Sequence, residues 1–277
     1  MKSSPSTRQK DSRIFPRKRF SQNFLVNLKA SKRIVDYLEL KSDEKVLEIG
    51  PGKGVLTQFL LEKAKRVYGV ELDRNLCKYL EEKFKDKENL VIINQDILKF
   101  NLYKIVDKGE KLKVIGNIPY QITTPIFEYL IQNREFIDFA TLTVQKEVAK
   151  RICAKPGTPD WSPLSIGIQL FSNPEILFTL KPNSFFPAPK VDSAVIRAKF
   201  LLKPKVDMEF PFFTDLVKAV FSQRRKTLLN SLSKTLSLNK DELKAILKEA
   251  EIDPKRRGET LSLKELGRLA KIISAIR

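Results

Sequence analysis

Four short apolar runs, KVLEIG, RVYGVELD, NLVIINQD and KLKVIGN, follow one another in the first half of the chain. The segments between the first three, GVLTQFLLEKA and RNLCKYLEEKF, carry apolar residues at helical spacing. Successive strands joined through helices run parallel, and a sheet built that way is covered by helices on both faces. The runs are apolar nearly throughout rather than alternating, as strands buried on both faces are. The pattern therefore predicts an α/β unit with a parallel sheet.

The rest of the chain extends this reading. SKRIVDYLEL is predicted as a helix capped by Ser31, PIFEYLIQN as another, and FIDFATLTVQ as a strand running into a helical KEVAKRIC. AKPGTPDWSP is predicted as an exposed loop, and LSIGIQLF and AVIRAKF as the last strands. Beyond it, PFFTDLVKAVFSQRRKTLLNSL, KDELKAILKEA and SLKELGRLAKIISAI are amphipathic helices with no strand between them. Residues 1–19 hold seven basic side chains and one acid with little apolar content, which predicts a disordered basic arm. The expected organisation is this arm, an α/β domain over residues 20–203 and a small helical domain over 204–277.

Open parallel sheets bind ligands at the carboxyl ends of their strands, and there the sequence concentrates its unusual residues. The first run ends in EIGPGKG, whose Gly50, Gly52 and Gly54 let a backbone pass close to a ligand. Such a turn serves NAD, FAD and S-adenosylmethionine sites alike, but its G-x-G-x-G spacing is not the G-x-G-x-x-G of dinucleotide binders. Glu71 ends the second run, about twenty residues on, where a carboxylate accepts both hydroxyls of a ribose. Asp96 ends the third, where it can accept from an adenine amino group. The plain alternative for Glu71, Asp73 and Asp96 is capping of the next helix.

The fourth run ends in GNIPY. An adenine N6 amine is a poor nucleophile because its lone pair is delocalised into the ring. Acceptors around its N–H groups favour a pyramidal nitrogen and stabilise the charge that develops on methyl transfer. The Asn117 side-chain oxygen and the Ile118 carbonyl suit that role, Pro119 stiffens the turn, and Tyr120 offers a face for a flipped-out base. This chemistry needs no histidine, and the chain has none, which excludes Ser-His-Asp and Cys-His catalysis and His-bearing zinc sites. No metal is expected.

SQNFL, EIGPGKG, VELD, NQDI, GNIPY, FFPAPKVDSAV and FSQRRKTLLNSL, in that order, resemble the ribosomal RNA adenine N6,N6-dimethyltransferase family. The resemblance runs from about Arg17 to the C-terminus. It implies a Rossmann-like class I S-adenosylmethionine-dependent methyltransferase domain with a C-terminal all-helical domain, and S-adenosyl-L-methionine as cofactor. By the same resemblance Asn23 and Leu25 close over the cofactor, and Gly50, Gly52, Glu71 and Asp96 contact it. Asn117 is shared between cofactor and target base, and Tyr120 and Phe185 clamp that base. Departures are small: Ser21 where glycine is common, DWSPLS where a Tyr-Gly pair is common, and Ile118 for leucine.

With 52 Lys+Arg against 33 Asp+Glu, net charge +19, the chain calls for a polyanionic partner. Arg224, Arg225 and Lys226, read as part of a helix, and Arg17, Lys18 and Arg19 are candidate RNA contacts, with Lys255 to Arg257 a second cluster. The implied substrate is small-subunit ribosomal RNA in an assembly particle, with two adjacent adenosines near its 3′ end as targets. A cytoplasmic monomer without membrane attachment is expected. The rival readings are a resistance-type methyltransferase of large-subunit RNA, a non-catalytic RNA-binding factor on the same fold, and a dehydrogenase. An intact GNIPY and Glu71 weigh against the factor, and the glycine spacing weighs against the dehydrogenase.

Overall fold

The computed structural model describes residues 23–223, 225–236 and 238–276, apart from the side chain of Phe210. It divides into two compact units, one formed by the described residues up to Lys146 with Ile176–Lys199, the other by Glu147–Glu175 with the described residues from Phe200 on.

The first unit is built on the expected parallel strands. In chain order come β1 (Phe24–Leu25), α1 (Leu28–Asp36), β2 (Lys45–Ile49), α2 (Thr57–Leu60), β3 (Arg66–Glu71), α3 (Arg74–Lys83), β4 (Leu90–Asn94), β5 (Leu112–Asn117), α4 (Thr123–Gln132) and β6 (Ile137–Gln145). After them β7 (Ser172–Leu180), β8 (Phe185–Phe186) and β9 (Ser193–Phe200) complete the strands. The large sheet has the order β4-β3-β2-β5-β6-β9-β7, while β1 and β8 form a separate antiparallel pair. Strands β2 to β6 are mutually parallel and β9 runs antiparallel to β6. The chain adds β3 and β4 on one side of β2 and β5 and β6 on the other. That reversal leaves a crevice between β2 and β5 at the carboxyl edge.

Local sequence sets the entries to the helices. Asn27, not Ser31, caps α1: its Oδ1 accepts from the Ala30 amide at 3.0 Å, and Ser31 lies buried one turn in. Asp73 caps α3 by accepting from the Asn75 amide at 2.9 Å.

The second unit contains α5 (Lys146–Ile152) from Glu147 on, α6 (Pro163–Phe171), α7 (Phe210–Phe221), α8 (Leu228–Thr235), α9 (Lys240–Glu249) and α10 (Leu263–Ile276). LSIGIQLF, read as a strand, is the body of α6. Ser162 and Ser165 form a capping box with Pro163 at the first helical position, a start signal that outweighs the apolar run. The intervening loop is exposed over Lys155 to Pro159, but Ala154 is buried, and so is Trp161, which is 1% exposed and donates from Nε1 to the Leu261 carbonyl at 3.0 Å. With the bond from the Gly157 amide to the Glu259 carbonyl, this ties Glu147–Glu175 to the C-terminal helices, so the unit is not continuous from residue 204. No described helix is long and apolar enough to cross a membrane.

Candidate active site

The ends of β2, β3 and β5, and the turn beyond β4, converge on a cleft of about 220 Å³ within the first unit. Gly50 leaves β2 with φ +63°, and a Cβ there would meet nothing within 4 Å, so the space above this turn is open and only the backbone angle demands glycine. At Gly52 (φ +59°) a Cβ would meet the Phe24 ring at 3.1 Å. The amide of Gly52 donates to Glu71 Oε2 at 3.1 Å and that of Asp73 to Glu71 Oε1 at 3.0 Å. One buried carboxylate thus ties the glycine turn to the end of β3. Burial raises its pKa above the ordinary value, against the pull of these amides. Each oxygen keeps a lone pair for a further donor.

Asp96 follows β4 and lines the cleft, while its Oδ1 accepts from the Leu98 amide at 3.0 Å. It is therefore a cap as well as a cleft residue. Asn117 ends β5, and its Nδ2 donates to the Asn23 carbonyl at 2.8 Å. Because the amide nitrogen is committed there, the side-chain oxygen is left as an acceptor. Pro119 leads into a single 3-10 turn, Tyr120–Ile122, and the Tyr120 hydroxyl lies 2.7 Å from Ser193 Oγ. Burial raises the phenol's pKa, so it stays protonated at neutral pH.

The cleft residues expected from the sequence line this space except Leu25, Phe185 and Gly54, where a Cβ would meet Phe84 and Leu80. Leu25 and Phe185 are 4% and 3% exposed and belong to a hydrophobic cluster with Ile34, Leu56 and Val195. Expected as lid and clamp, both are core residues here and are not among those that line the cleft. The cause is strand phase: β1 and β8 pair Leu25 with Phe185 and Phe24 with Phe186, and paired residues share a face. Turning the first pair inward brings Phe24 to the cleft and leaves Phe186 58% exposed. Leu72, Gln95 and Ile97 also line the cleft and escaped the sequence reading. Leu72, a 54% exposed leucine between two acids, is the signal that could have found it.

The electrostatics select among ligands. In a chain of net charge +19, the only charged residues lining the cleft among the described residues are the carboxyls Glu71 and Asp96. Such a lining suits a nucleoside carrying a positive group and not a pyrophosphate. Of the expected RNA contacts, Arg17, Lys18, Arg19 and Arg224 lie outside the described residues. Arg225 and Lys226 are exposed in the turn between α7 and α8, so FSQRRKTLLNSL is two helices and a turn rather than one helix.

The model of the ribosomal RNA adenine dimethylase family matches residues 15–271. The chain belongs to this family. Ribosomal RNA small subunit methyltransferase A of Alkaliphilus metalliredigens is 44% identical over 263 residues, 93% of this chain and 92% of that one. Its counterpart in Bacillus cytotoxicus is 41% identical over 265 residues, 93% and 91% of the two chains. Among solved structures, a dimethyladenosine transferase from Plasmodium falciparum superposes with TM-score 0.73 at 27% identity, covering 89% of this chain and 95% of its own. The 23S rRNA methyltransferase ErmE gives 0.71 at 28% identity, covering 91% and 100%. As a ribosomal RNA adenine dimethylase, the chain is a methyltransferase with S-adenosyl-L-methionine as methyl donor. The site fits that group: open space over Gly50, a buried carboxylate in Glu71 that can accept further hydrogen bonds, and carboxyls in place of phosphate ligands.

Beneath the glycine turn lies a second acid that this dimethylase must accommodate. Glu48 in β2 is 1% exposed, and burial pushes its carboxyl from 4.5 up to about 7, with the Thr57 hydroxyl donating to it at 2.7 Å and the Glu71 charge nearby. Below 4.5 folded and unfolded chains both hold the proton. From there to about 7 the unfolded chain gives it up first, so stability falls as pH rises, by on the order of 3 kcal/mol once past this window. Glu48→Gln keeps the acceptor for Thr57 and abolishes the titration. The variant should gain stability over the native protein between about pH 5 and about pH 8 in chemical denaturation. Parallel pH curves for the two proteins would rule this out.

Proposed function

We propose that this enzyme transfers methyl groups to the N6 amines of two adjacent adenosines near the 3′ end of small-subunit ribosomal RNA, giving N6,N6-dimethyladenosine. The observation that carries the chemistry is the Asn117 amide, whose nitrogen is held by the Asn23 carbonyl so that its oxygen is left to accept. The small-subunit assignment draws on the relatives named small subunit methyltransferase A, which align over nearly the whole chain. When bound, S-adenosyl-L-methionine supplies an electrophilic methyl carbon on a sulfonium.

In this reading Glu71 accepts from the ribose hydroxyls, Asp96 from the adenine amino group, and Leu72 and Ile97 flank the adenine. Asn117 Oδ1 and the Ile118 carbonyl accept from the two N–H groups of the target amine, drawing it out of conjugation and stabilising its growing positive charge. The proton leaves to water. Tyr120 offers one face of the base pocket. Phe186, rather than Phe185, offers an exposed ring near it. Arg225 and Lys226 supply phosphate contacts that position the RNA without reading its sequence. The substrate is bound within a small-subunit assembly particle, by a monomer.

The test is methyl transfer from labelled cofactor to unmethylated small and large subunits offered separately, with the nucleosides identified by chromatography. N6,N6-Dimethyladenosine from the small subunit alone is the expected result. Label only in the large subunit would overturn the substrate assignment. No label in either would overturn the reaction.

A further inference from the structure

Two motifs that lie far apart in the chain meet at the cleft. GNIPY contributes Tyr120, PKVDS contributes Ser193, and their hydroxyls are 2.7 Å apart across 73 residues. The two partners differ in how firmly they are held. Tyr120 opens a single 3-10 turn, its carbonyl accepting from Thr123 Oγ1 at 3.2 Å and its ring half-buried at the cleft wall, where two side-chain torsions set the angle of the ring. Ser193 is 0% exposed, opens β9, and pairs in register with Gln145 at the end of β6. The residue before it is fixed too. The Asp192 carbonyl accepts from the Lys146 amide at 3.0 Å, and its carboxylate receives Lys146 Nζ and Lys181 Nζ, each at 3.1 Å. A fully buried hydroxyl, fixed by its strand, therefore holds the tip of a half-buried side chain.

We propose that Ser193 is a positioning residue for methyl transfer: its hydroxyl sets the angle of the Tyr120 ring, so that the base meets a preset face beside Asn117. This rests on the reading of Tyr120 as a wall of the base pocket. Ser193 touches neither base nor cofactor. Its effect belongs to the rate of transfer from the assembled complex, because a ring that must be ordered during the reaction adds its lost rotamer freedom to the barrier.

The test is a cycle of Ser193→Ala, Tyr120→Phe and the double variant. Single-turnover transfer to small subunits is measured alongside cofactor affinity and the half-saturating subunit concentration. Each single change removes one side of the same hydroxyl pair and should slow transfer about fivefold to tenfold, as loss of one such bond does. Cofactor affinity and half-saturation should stay put, which a general loosening of the fold would not allow. The double variant should be no slower than either single one, since the bond can be lost only once. If the buried Ser193→Ala fails to fold, Tyr120→Phe carries the test, as it breaks the bond from the more exposed side and keeps the ring. Native rates in either single variant, or losses that multiply in the double, would overturn the proposal. Failure of the unsubstituted enzyme to label either subunit would instead overturn the reaction itself.

Discussion

Asn117→Ala should slow methyl transfer by about 10²- to 10³-fold, the usual cost of removing one preorganised polar group from a site of developing charge. The reason lies in geometry fixed before substrate arrives. The Asn117 nitrogen is occupied by the Asn23 carbonyl at 2.8 Å, so the oxygen needs no reorganisation to accept from an amine. Alanine removes that acceptor and leaves the Asn23 carbonyl without its donor. Cofactor affinity, which the proposed reading assigns chiefly to Glu71 at the end of β3 and Asp96 beyond β4, should change only a few-fold. Calorimetric titration of the cofactor and single-turnover labelling of small subunits separate the two. A variant that transfers at a native rate would remove Asn117 from the chemistry.

Glu71→Gln should weaken cofactor binding by about 10²-fold, in the range for bonds to a charged acceptor. The substitution is nearly isosteric, yet Glu71 is a site where two backbone amides, of Gly52 and Asp73, each point at a carboxylate oxygen. Glutamine has one oxygen. Whichever way it turns, its NH₂ faces one of these N–H groups, donor against donor, and either the glycine turn or the start of α3 is pushed away. The charge that complements a cationic ligand is lost as well. Calorimetry at matched salt measures the effect. An affinity within twofold of the native value would mean that Glu71 braces the turn without meeting the cofactor.

The parts of this molecule that could be read from its residues are those set by local chemistry. Strands β2 to β5 announce themselves because burial on both faces demands unbroken apolar runs, and their glycine, acid and amide endings fall on one edge because parallel strands share a direction. What could not be read is phase. Leu25 was expected over the cofactor and Phe185 against the base, but the inward turn of both is decided by how β1 meets β8, a pairing of segments some 160 residues apart. Neighbouring phenylalanines offer no alternation from which to choose a face.

Helix assignments failed for related reasons. LSIGIQLF is apolar nearly all round, a property shared by a core strand and a core helix, and only Ser162 and Pro163 distinguish them. In FSQRRKTLLNSL one helix ends at Phe221 and the next begins at Leu228, with neither glycine nor proline in the sequence between to mark the change. The helical spacing runs on across a turn that tertiary contacts impose: the Leu228 amide bonds to the Arg256 carbonyl at 2.7 Å.

The bond that orients Asn117 ends on a main-chain oxygen, that of Asn23. Every amino acid carries such an oxygen, so the orientation of the Asn117 amide is indifferent to which side chain residue 23 bears and answers only to whether its backbone is seated. The Asn23 side chain, which lines the cleft, is thereby released to follow the needs of the ligand. Selection can retune this position for cofactor without disturbing the acceptor, a separation of two duties that a side-chain partner for Asn117 would have fused.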